Sequence, residues 1–270
     1  MATHSLLERQ GMAGRAKLLA IHSFRAGTGR SNLTANLAAL LAAKGRRVAV
    51  IDTCLRSGNV SGLFGIDPEA MPCSFHSHYM DECALWQAAY EVTGLVGAPL
   101  DGHVYLVPAK PTPEQVEQIR RDGYDPDRLA DGITELVERL KLDAVLFDLD
   151  FGIDISTMSL IALADVLLVL LRHDKREYQG TGIIVELARQ LEVPEIFVLM
   201  NEVPPSFDNA MFEAHVAELY RCPVAGILPY AEDMAALERN AIFALRHPEH
   251  PNTQVMRAVL GLLFAAPAAE

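Results

Sequence analysis

Short apolar runs alternate with longer segments of helical periodicity along most of the chain. Most of these runs are apolar at nearly every position, which is typical of strands that helices cover on both faces. The predicted strands are residues 18–22, 48–52, 104–108, 144–148, 166–171 and 196–201. The predicted helices are residues 31–44, 113–121, 126–140, 155–164, 178–191, 209–220, 232–242 and 253–264. This alternation predicts an α/β fold, with a doubly wound, mostly parallel sheet and helices on both faces.

Local signals refine this picture. Thr112 is a hydroxyl cap followed by a proline, and Asp125 followed by a proline repeats the same helix-start signal. Residues 58–100 lack a regular pattern, and we expect short helices there, outside the sheet. Because the sequence contains no linker or internal repeat, we predict a mobile tail over residues 1–16 and one domain over residues 17–270.

Composition and charge disfavour several classes of protein. Acidic residues outnumber basic ones by 35 to 23 among the 270 residues, which gives a net charge of −12. A phosphate surface selects an excess of Lys and Arg, so broad binding to DNA or to anionic membranes is disfavoured. The four cysteines are too few for a disulfide scaffold. No apolar stretch is long enough to span a bilayer and residues 1–16 lack a secretory signal, so we expect a soluble, cytoplasmic protein.

A glycine-containing turn after the first strand carries the main candidate chemistry. Residues 23–31 read SFRAGTGRS and lead into a helical segment. The N–H groups of such a turn and the dipole of the following helix together form a site for an anion such as phosphate. Gly27 and Gly29 permit close approach of the backbone to phosphate. The hydroxyl of Ser31 is suited to Mg²⁺.

The turn departs from the usual phosphate loop, GxxxxGK[ST], at Phe24 and Arg30, which leaves an ordinary turn as the alternative. Five motifs in order, however, resemble the MinD/ParA family of P-loop ATPases. That family's variant loop, KGGxGK[ST], matches residues 25–31 with arginine at both lysine positions. The other four motifs, spread between residues 17 and 264, are a strand ending in Asp52, a strand ending in Asp148, Asn201 after a late strand, and a Gly-x-x-Pro stretch ending at Pro229.

The resemblance implies a P-loop NTPase fold and a site for ATP or ADP with Mg²⁺. Nucleotide contacts are implied for Arg25, Ala26, Gly27, Thr28, Gly29, Arg30, Ser31, Asn32, Asn201 and Pro229. Contacts to Mg²⁺ are implied for Ser31, Asp52 and Asp148. Catalytic roles are implied for Asp52 and for Arg25, which in this family reaches the nucleotide of the partner subunit. The alternative interpretation of Arg25 is a solvated surface residue.

Departures from the family pattern affect the expected hydrolysis. Arg30 is longer and bulkier than the usual lysine, so we expect weaker binding or an altered place for the γ-phosphate. Cys54 replaces the carboxylate that positions the attacking water, and a neutral thiol is a poor acceptor. Loss of such a group typically costs a factor of about 10²–10⁴ in rate. Asp150 offers another carboxylate beside Phe151, although a turn aspartate bonded to its own backbone is the simpler interpretation.

Two further features suggest other ligands. The zinc-ligand types Cys73, His76, His78 and Cys83 lack the paired spacing of zinc sites, so a short helix with partly buried side chains is favoured. The last helical segment contains a single cation, so the membrane-targeting helix of MinD relatives is the disfavoured interpretation of it. DNA binding is disfavoured as well, because the basic residues form no dense cluster.

These observations lead to one main hypothesis and two alternatives. The main hypothesis is an ATP-binding homodimerisation switch that positions or regulates an unidentified protein partner, with slow or impaired hydrolysis. The first alternative is a pseudo-ATPase scaffold that binds no nucleotide because Arg30 fills the phosphate site. The second is an active ATPase of DNA or cargo partitioning.

Overall fold

A single eight-stranded sheet organises the chain in a computed structural model, which describes residues 16–56, 60–236 and 241–265. The strands are β1 (Lys17–His22), β2 (Arg47–Asp52), β3 (Tyr90–Glu91), β4 (His103–Val107), β5 (Ala144–Asp148), β6 (Val166–Leu171), β7 (Glu195–Val203) and β8 (Val224–Pro229). Across the sheet they lie in the order β3-β4-β2-β5-β1-β6-β7-β8. All neighbours are parallel except β3, which pairs antiparallel with β4.

Helices connect successive strands. They are α1 (Arg30–Ala42), α2 (Val60–Leu63), α3 (Phe75–Tyr79), α4 (Pro113–Asp122), α5 (Pro126–Leu140), α6 (Ile155–Ile161), α7 (Lys175–Gln190), α8 (Asn209–Tyr220), α9 (Glu232–Ala235), α10 (Phe243–Arg246) and α11 (Pro251–Leu263). The capping signals act as predicted, because Thr112 and Asp125 accept hydrogen bonds from first-turn N–H groups of α4 and α5. No helix in the described ranges is long and apolar enough to cross a membrane.

Two hydrophobic cores lie on opposite faces of the sheet. One contains side chains of α1 and α11, such as Leu37 and Leu260. The other contains side chains of α5, α6, α7 and α8, such as Ile133 and Ile184. Because both faces are covered, the central strands are apolar at successive positions, and the predicted doubly wound fold is confirmed.

The strand order places one crevice at the carboxyl ends of β1, β2 and β5. The strands β5, β2 and β4 lie on one side of β1, and β6, β7 and β8 lie on its other side, so the chain changes direction across the sheet between β5 and β6. Ligands of open α/β sheets bind where the strand order reverses in this way. Register pairs Asp52 with Asp148, so the last residues of β2 and β5 lie side by side at this point.

The six predicted strands are present, and the differences lie at the edges of the sheet and at helix ends. The sequence patterns missed β3, which has two residues, and β8, which contains Gly226 and ends in Pro229. The predicted helix 155–164 ends at Ile161, and the one predicted from 178 begins at Lys175, because Asp174 caps it. The helix predicted over 232–242 ends at Ala235, and residues 237–240 lie outside the described ranges. So do residues 1–15 of the predicted tail and residues 57–59.

Candidate functional site

The turn between β1 and α1 has the backbone of an anion-binding loop. Gly27 and Gly29 adopt left-handed φ values of 74° and 87°, which glycine adopts without strain. Gly29 is the residue that caps α1, and it provides no side chain to occupy the first-turn N–H groups. These N–H groups and the dipole of a 13-residue helix therefore face the crevice as a site for negative charge.

A side chain from the end of β7 fits closely against this loop. The amide nitrogen Nδ2 of Asn201 donates to the carbonyl oxygen of Thr28 at 2.8 Å. A Cβ on Gly29 would lie 2.6 Å from the same nitrogen, so a larger residue would displace the Asn201 side chain as well as strain the backbone. The hydroxyl of Thr28 is buried and donates to Ser23 at 2.9 Å, which closes the loop from inside.

Two buried carboxylates lie below the loop. Ser31 donates its hydroxyl to Asp148 Oδ2 at 2.6 Å, and Oδ1 of Asp52 accepts the N–H of Cys54 at 3.0 Å. The other oxygen of Asp52 is buried and has no hydrogen-bond partner among the described residues. Burial raises the pKa of both carboxyls, and the neighbouring charge of Asp148 raises the pKa of Asp52 further.

This donor set fits Mg²⁺. The ion prefers oxygen ligands, binds proteins through one or two carboxylates, and takes its remaining ligands from water and phosphate. Asp52 supplies an unpartnered buried oxygen, and Ser31 and Asp148 supply a hydroxyl and a second carboxylate. The structure therefore brings together the three residues that the sequence predicts as ligands of the metal, Ser31, Asp52 and Asp148.

The two arginines of the loop differ in their surroundings. Arg30 is the first residue of α1, and its Nη1 is buried without a partner among the described residues. Its guanidinium carbon lies 6.0 Å from the ring centre of Phe151, and that of Arg56 lies 4.0 Å from the same ring. Arg25 lies at the surface, where Nη1 is 3.4 Å from Asp174 Oδ1. Arg30 therefore belongs to the interior of the site and Arg25 to its rim.

A pocket beside the loop is lined by three further residues that were predicted to contact the nucleotide. Asn32, Asn201 and Pro229 line it together with Gly29 and Tyr230. Asn252 in α11 holds the Pro229 carbonyl oxygen at 3.0 Å, which fixes the wall that β8 provides. Ala26, which was also predicted to contact the nucleotide, lies on the exposed outer part of the loop.

The turn after β5 is tied to the loop by a residue that sequence reasoning missed. His22 Nε2 lies 2.9 Å from the carbonyl oxygen of Gly152, and the N–H of Gly152 donates to Ser23 at 3.3 Å. Burial, aided by the charge of Arg30, lowers the pKa of His22 to about 3, so the neutral ring donates from Nε2 to Gly152. The sequence does contain a signal for this residue, because a histidine ends an apolar strand directly before the loop.

Asp150 in the same turn bonds to its own backbone. Its Oδ1 accepts the N–H of Phe151 at 2.8 Å, and its side chain is buried. Phe24, at the place of the usual first loop glycine, packs against Gly180 of α7. The aromatic residue is thus accommodated at the loop by a helical glycine.

The cysteine–histidine segment does not form a metal site. Both ring nitrogens of His76 are buried without partners in the described chain, and burial lowers its pKa to about 3. Nδ1 of His78 lies 3.1 Å from the carbonyl oxygen of Cys83. Within the described ranges, no group of three or more His, Cys, Asp or Glu side chains is arranged to hold a metal ion.

Comparisons with known proteins agree with this geometry. The family model described as the CobQ/CobB/MinD/ParA nucleotide binding domain matches residues 19–242. An uncharacterized ATP-binding protein of Methanocaldococcus jannaschii is 25% identical over 251 residues, which span 92% of this chain and 88% of that protein.

Solved structures show the same fold. Septum site-determining protein MinD of Pyrococcus horikoshii, complexed with Mg-ADP, superposes with a TM-score of 0.72 at 20% identity, over 92% of this chain and 96% of that chain. A chain of the MinC:MinD cell division protein complex of Aquifex aeolicus gives a TM-score of 0.75 at 16% identity, over 94% and 98%. The family model spans most of the sequence, and the chain belongs to the CobQ/CobB/MinD/ParA family of nucleotide-binding domains.

Proposed function

We propose that this protein is an ATP-binding dimerisation switch that hydrolyses ATP slowly and positions or regulates a protein partner. One observation carries the proposal. A buried guanidinium nitrogen of Arg30, the first residue of α1, and a buried carboxylate oxygen of Asp52, the last residue of β2, both lack hydrogen-bond partners in the described chain. Buried polar atoms without hydrogen bonds are costly, and a phosphate group with Mg²⁺ would satisfy both.

The base pocket favours adenine. Because Nδ2 of Asn201 is engaged by Thr28, the atom of this amide that is left for a base is the acceptor Oδ1. An acceptor pairs with the exocyclic amino group of adenine, whereas guanine presents a carbonyl oxygen at the same ring position. The ligand would therefore be ATP or ADP, held between the loop and Pro229.

Slow hydrolysis follows from the side chains around the carboxylates. Cys54 occupies the place of the family's water-positioning aspartate, and a thiol accepts hydrogen bonds weakly. Asp150 is committed to its own turn through Phe151. A long-lived nucleotide state suits a scaffold that holds a partner in place.

Dimerisation is supported by the rim of the crevice. Within the described part of the chain, the side chain of Arg25 makes one surface ion pair, at 3.4 Å from Asp174. Such pairs contribute little, so the side chain is available to a second copy. Ile153 and Ile155, next to the same crevice, are 38% and 52% exposed. We propose a homodimer that meets at this face, in the cytoplasm.

Membrane and DNA binding remain disfavoured. Helix α11 buries Met256 and Leu260 against the body of the protein and leaves Leu262 41% exposed. Its single cation, Arg257, donates to the carbonyl oxygen of Pro248. The excess of acidic residues opposes a DNA surface. The partner we propose is therefore a protein, and the MinC:MinD complex of Aquifex aeolicus is an example of such pairing in a protein of the same fold.

The pseudo-ATPase alternative also rests on a specific observation. Arg30 lies inside the site, against Phe151, and its charge lowers the pKa of both neighbouring carboxyls against the effect of burial. In that alternative Arg30 permanently takes the place of a bound cation.

Calorimetric titration of ATP with Mg²⁺ separates the two functions. We expect saturable binding near one ATP per chain, weaker binding of GTP, and loss of binding in Arg30→Ala. Arg121→Ala is the matched control, because this exposed arginine contacts the adjacent Asp122 on the surface of α4. Absence of binding in folded wild-type protein would favour the pseudo-ATPase.

A further inference from the structure

Arg172 lies between the two halves of the candidate site. It directly follows β6, the strand between β1, which leads into the phosphate loop, and β7, which carries Asn201. Its Nη1 donates to the carbonyl oxygen of Gly27 at 3.1 Å and to Glu202 Oε2 at 3.2 Å. One guanidinium nitrogen therefore touches both the phosphate loop and the segment that forms the base pocket.

A buried carboxylate fixes the orientation of this arginine. Glu177 in α7 has a side chain that is 1% exposed. It accepts the backbone N–H of Arg172 at 2.8 Å and both Nε and Nη2 of the same residue at 3.2 Å. A guanidinium held in this way presents its remaining nitrogen in one direction, which here is toward Gly27.

The contact with Gly27 controls where a neighbouring N–H points. In a trans peptide the carbonyl and the N–H lie on opposite sides, so holding the Gly27 oxygen turns the Thr28 N–H away from Arg172. Asn201 does the same to the next peptide, because it holds the Thr28 oxygen and so directs the Gly29 N–H. Successive N–H groups that are aimed together form an anion nest.

Glycine makes this anchoring necessary. Gly27 has a φ of 74° and no atom within 4 Å of where a Cβ would lie, so side-chain packing does not restrain its peptide. A glycine peptide without such restraint has several accessible orientations. Among the described residues, the restraint on this peptide from outside the loop is the hydrogen bond from Arg172.

We propose that Arg172 is a positioning residue that aims the phosphate-loop amides at the phosphates of the nucleotide through the Gly27 carbonyl. Its contact with Glu202 ties this geometry to the base segment. The inference rests on the proposed nucleotide binding. It implies that the start of α7, which holds Arg172 through Glu177, is coupled to phosphate recognition. The motifs of the loop and of the strands do not include this coupling.

Comparison of ligands with and without phosphates tests the inference. Dissociation constants of ATP, ADP and adenosine, with Mg²⁺, are measured for the wild type and Arg172→Gln by displacement of a fluorescent ATP analogue. We expect ATP and ADP to bind Arg172→Gln at least tenfold more weakly, or about 1.4 kcal/mol, with adenosine changed less than twofold. Arg172→Lys should recover part of the loss, because one ammonium N–H can still reach a carbonyl.

Two further variants control for charge and folding. Arg176→Gln removes the same charge from an exposed position in α7 and should bind all three ligands as the wild type does. Because Arg172→Gln leaves the Glu177 carboxylate buried and unpaired, the double variant with Glu177→Gln removes both charges and should show the same loss for ATP.

The outcomes separate this inference from the proposed function. Equal loss for adenosine and ATP, or affinities for ATP like those of the wild type, would overturn the role of Arg172 while leaving nucleotide binding intact. A folded wild type that binds no nucleotide would overturn the proposed function and this inference with it.

Discussion

The ring of Phe24 fills the space in front of Gly180 that a side chain on this helical residue would need. The relationship joins the phosphate loop to the middle of α7, because Phe24 lies in the turn after β1 and Gly180 in the first half of the helix. It explains two irregularities of the sequence together. A bulky ring replaces the usual loop glycine, and a glycine lies inside a helix despite a cost of about 1 kcal/mol relative to alanine.

We expect Gly180→Ala to destabilise the protein and to displace the loop. The added methyl group would collide with the ring, and overpacking of this kind typically costs about 1–3 kcal/mol, which outweighs the better helix propensity of alanine. The free energy of unfolding from urea titration measures the first effect. The affinity for ATP measures the second.

Another helical glycine provides the control for that substitution. Gly261 in α11 has nothing within 4 Å of an added Cβ, so Gly261→Ala should stabilise the protein by about 0.5–1 kcal/mol. In a Phe24→Ala background, Gly180→Ala should no longer be destabilising. If Gly180→Ala still lowered the free energy of unfolding in the Phe24→Ala background, the collision with the ring would not be the cause.

Cys54→Asp should raise the rate of ATP hydrolysis at least tenfold. The substitution restores a carboxylate where the family positions water, and such groups contribute factors of about 10²–10⁴. Steady-state phosphate release at saturating ATP measures the effect. Cys54→Asn, of nearly the same size but uncharged, should leave the rate close to that of the parent. A wild-type rate already typical of active family members would contradict the prediction.

Asp52→Asn should stabilise the ligand-free protein and abolish its response to Mg-ATP. The amide keeps an oxygen for the Cys54 N–H and removes one of two adjacent buried charges, so we expect a gain of about 1–2 kcal/mol. The wild type should gain stability from Mg-ATP by mass action, whereas this variant should not. Thermal unfolding with and without Mg-ATP measures both effects. A less stable ligand-free variant would show that the carboxylate is not under repulsion.

The low pKa values of two buried histidines should destabilise the protein below pH 6.5, in opposition to the raised pKa values of Asp52 and Asp148, which act the other way. His22 and His76 have pKa values lowered to about 3 by burial, so between pH 6.5 and 3 the unfolded chain binds protons that the folded chain does not. Stability that is complete above pH 6.5 is therefore lost as the pH falls, by about 2 kcal/mol for each histidine at pH 5. Urea titrations at pH 7 and pH 5 measure the loss.

One substitution assigns part of that acid sensitivity. His76→Leu should reduce the difference between pH 7 and pH 5 by about 2 kcal/mol, because an apolar side chain takes up no proton. His215→Leu changes an exposed histidine of α8 and should leave the difference as it is. An unchanged difference in His76→Leu would refute the assignment.

The central strands and the residues of the candidate site could be predicted from the sequence, because both depend on the types of residues that follow one another along the chain. Strands buried on both faces are apolar throughout, and Asp52 and Asp148 end two such strands that parallel pairing brings together. The same reasoning missed β8, in which Gly226 and a terminal proline interrupt the apolar pattern. The division into a mobile tail and one domain stays a prediction.

Contacts between distant segments were beyond such reasoning. Arg172 and Gly27 are 145 residues apart, and Phe24 meets Gly180 only because β6 pairs with β1. Neither pair has a sequence pattern, since each depends on side-chain directions that are set by the whole sheet. Arg30 was found from sequence, but its buried, unpartnered nitrogen was not.

The two-residue strand β3 has a consequence for self-association. An open sheet edge is a template on which another chain can add a strand and begin to aggregate. Here Tyr90 and Glu91 run antiparallel along β4 and cap part of its outer edge, and the short length of β3 itself leaves little backbone for further pairing. Glu91, whose Oε1 lies 2.7 Å from His103 Nδ1, adds a carboxylate at the same edge. Growth of the sheet from copy to copy is thus blunted on this side, and the homodimer that we propose would have to use another surface.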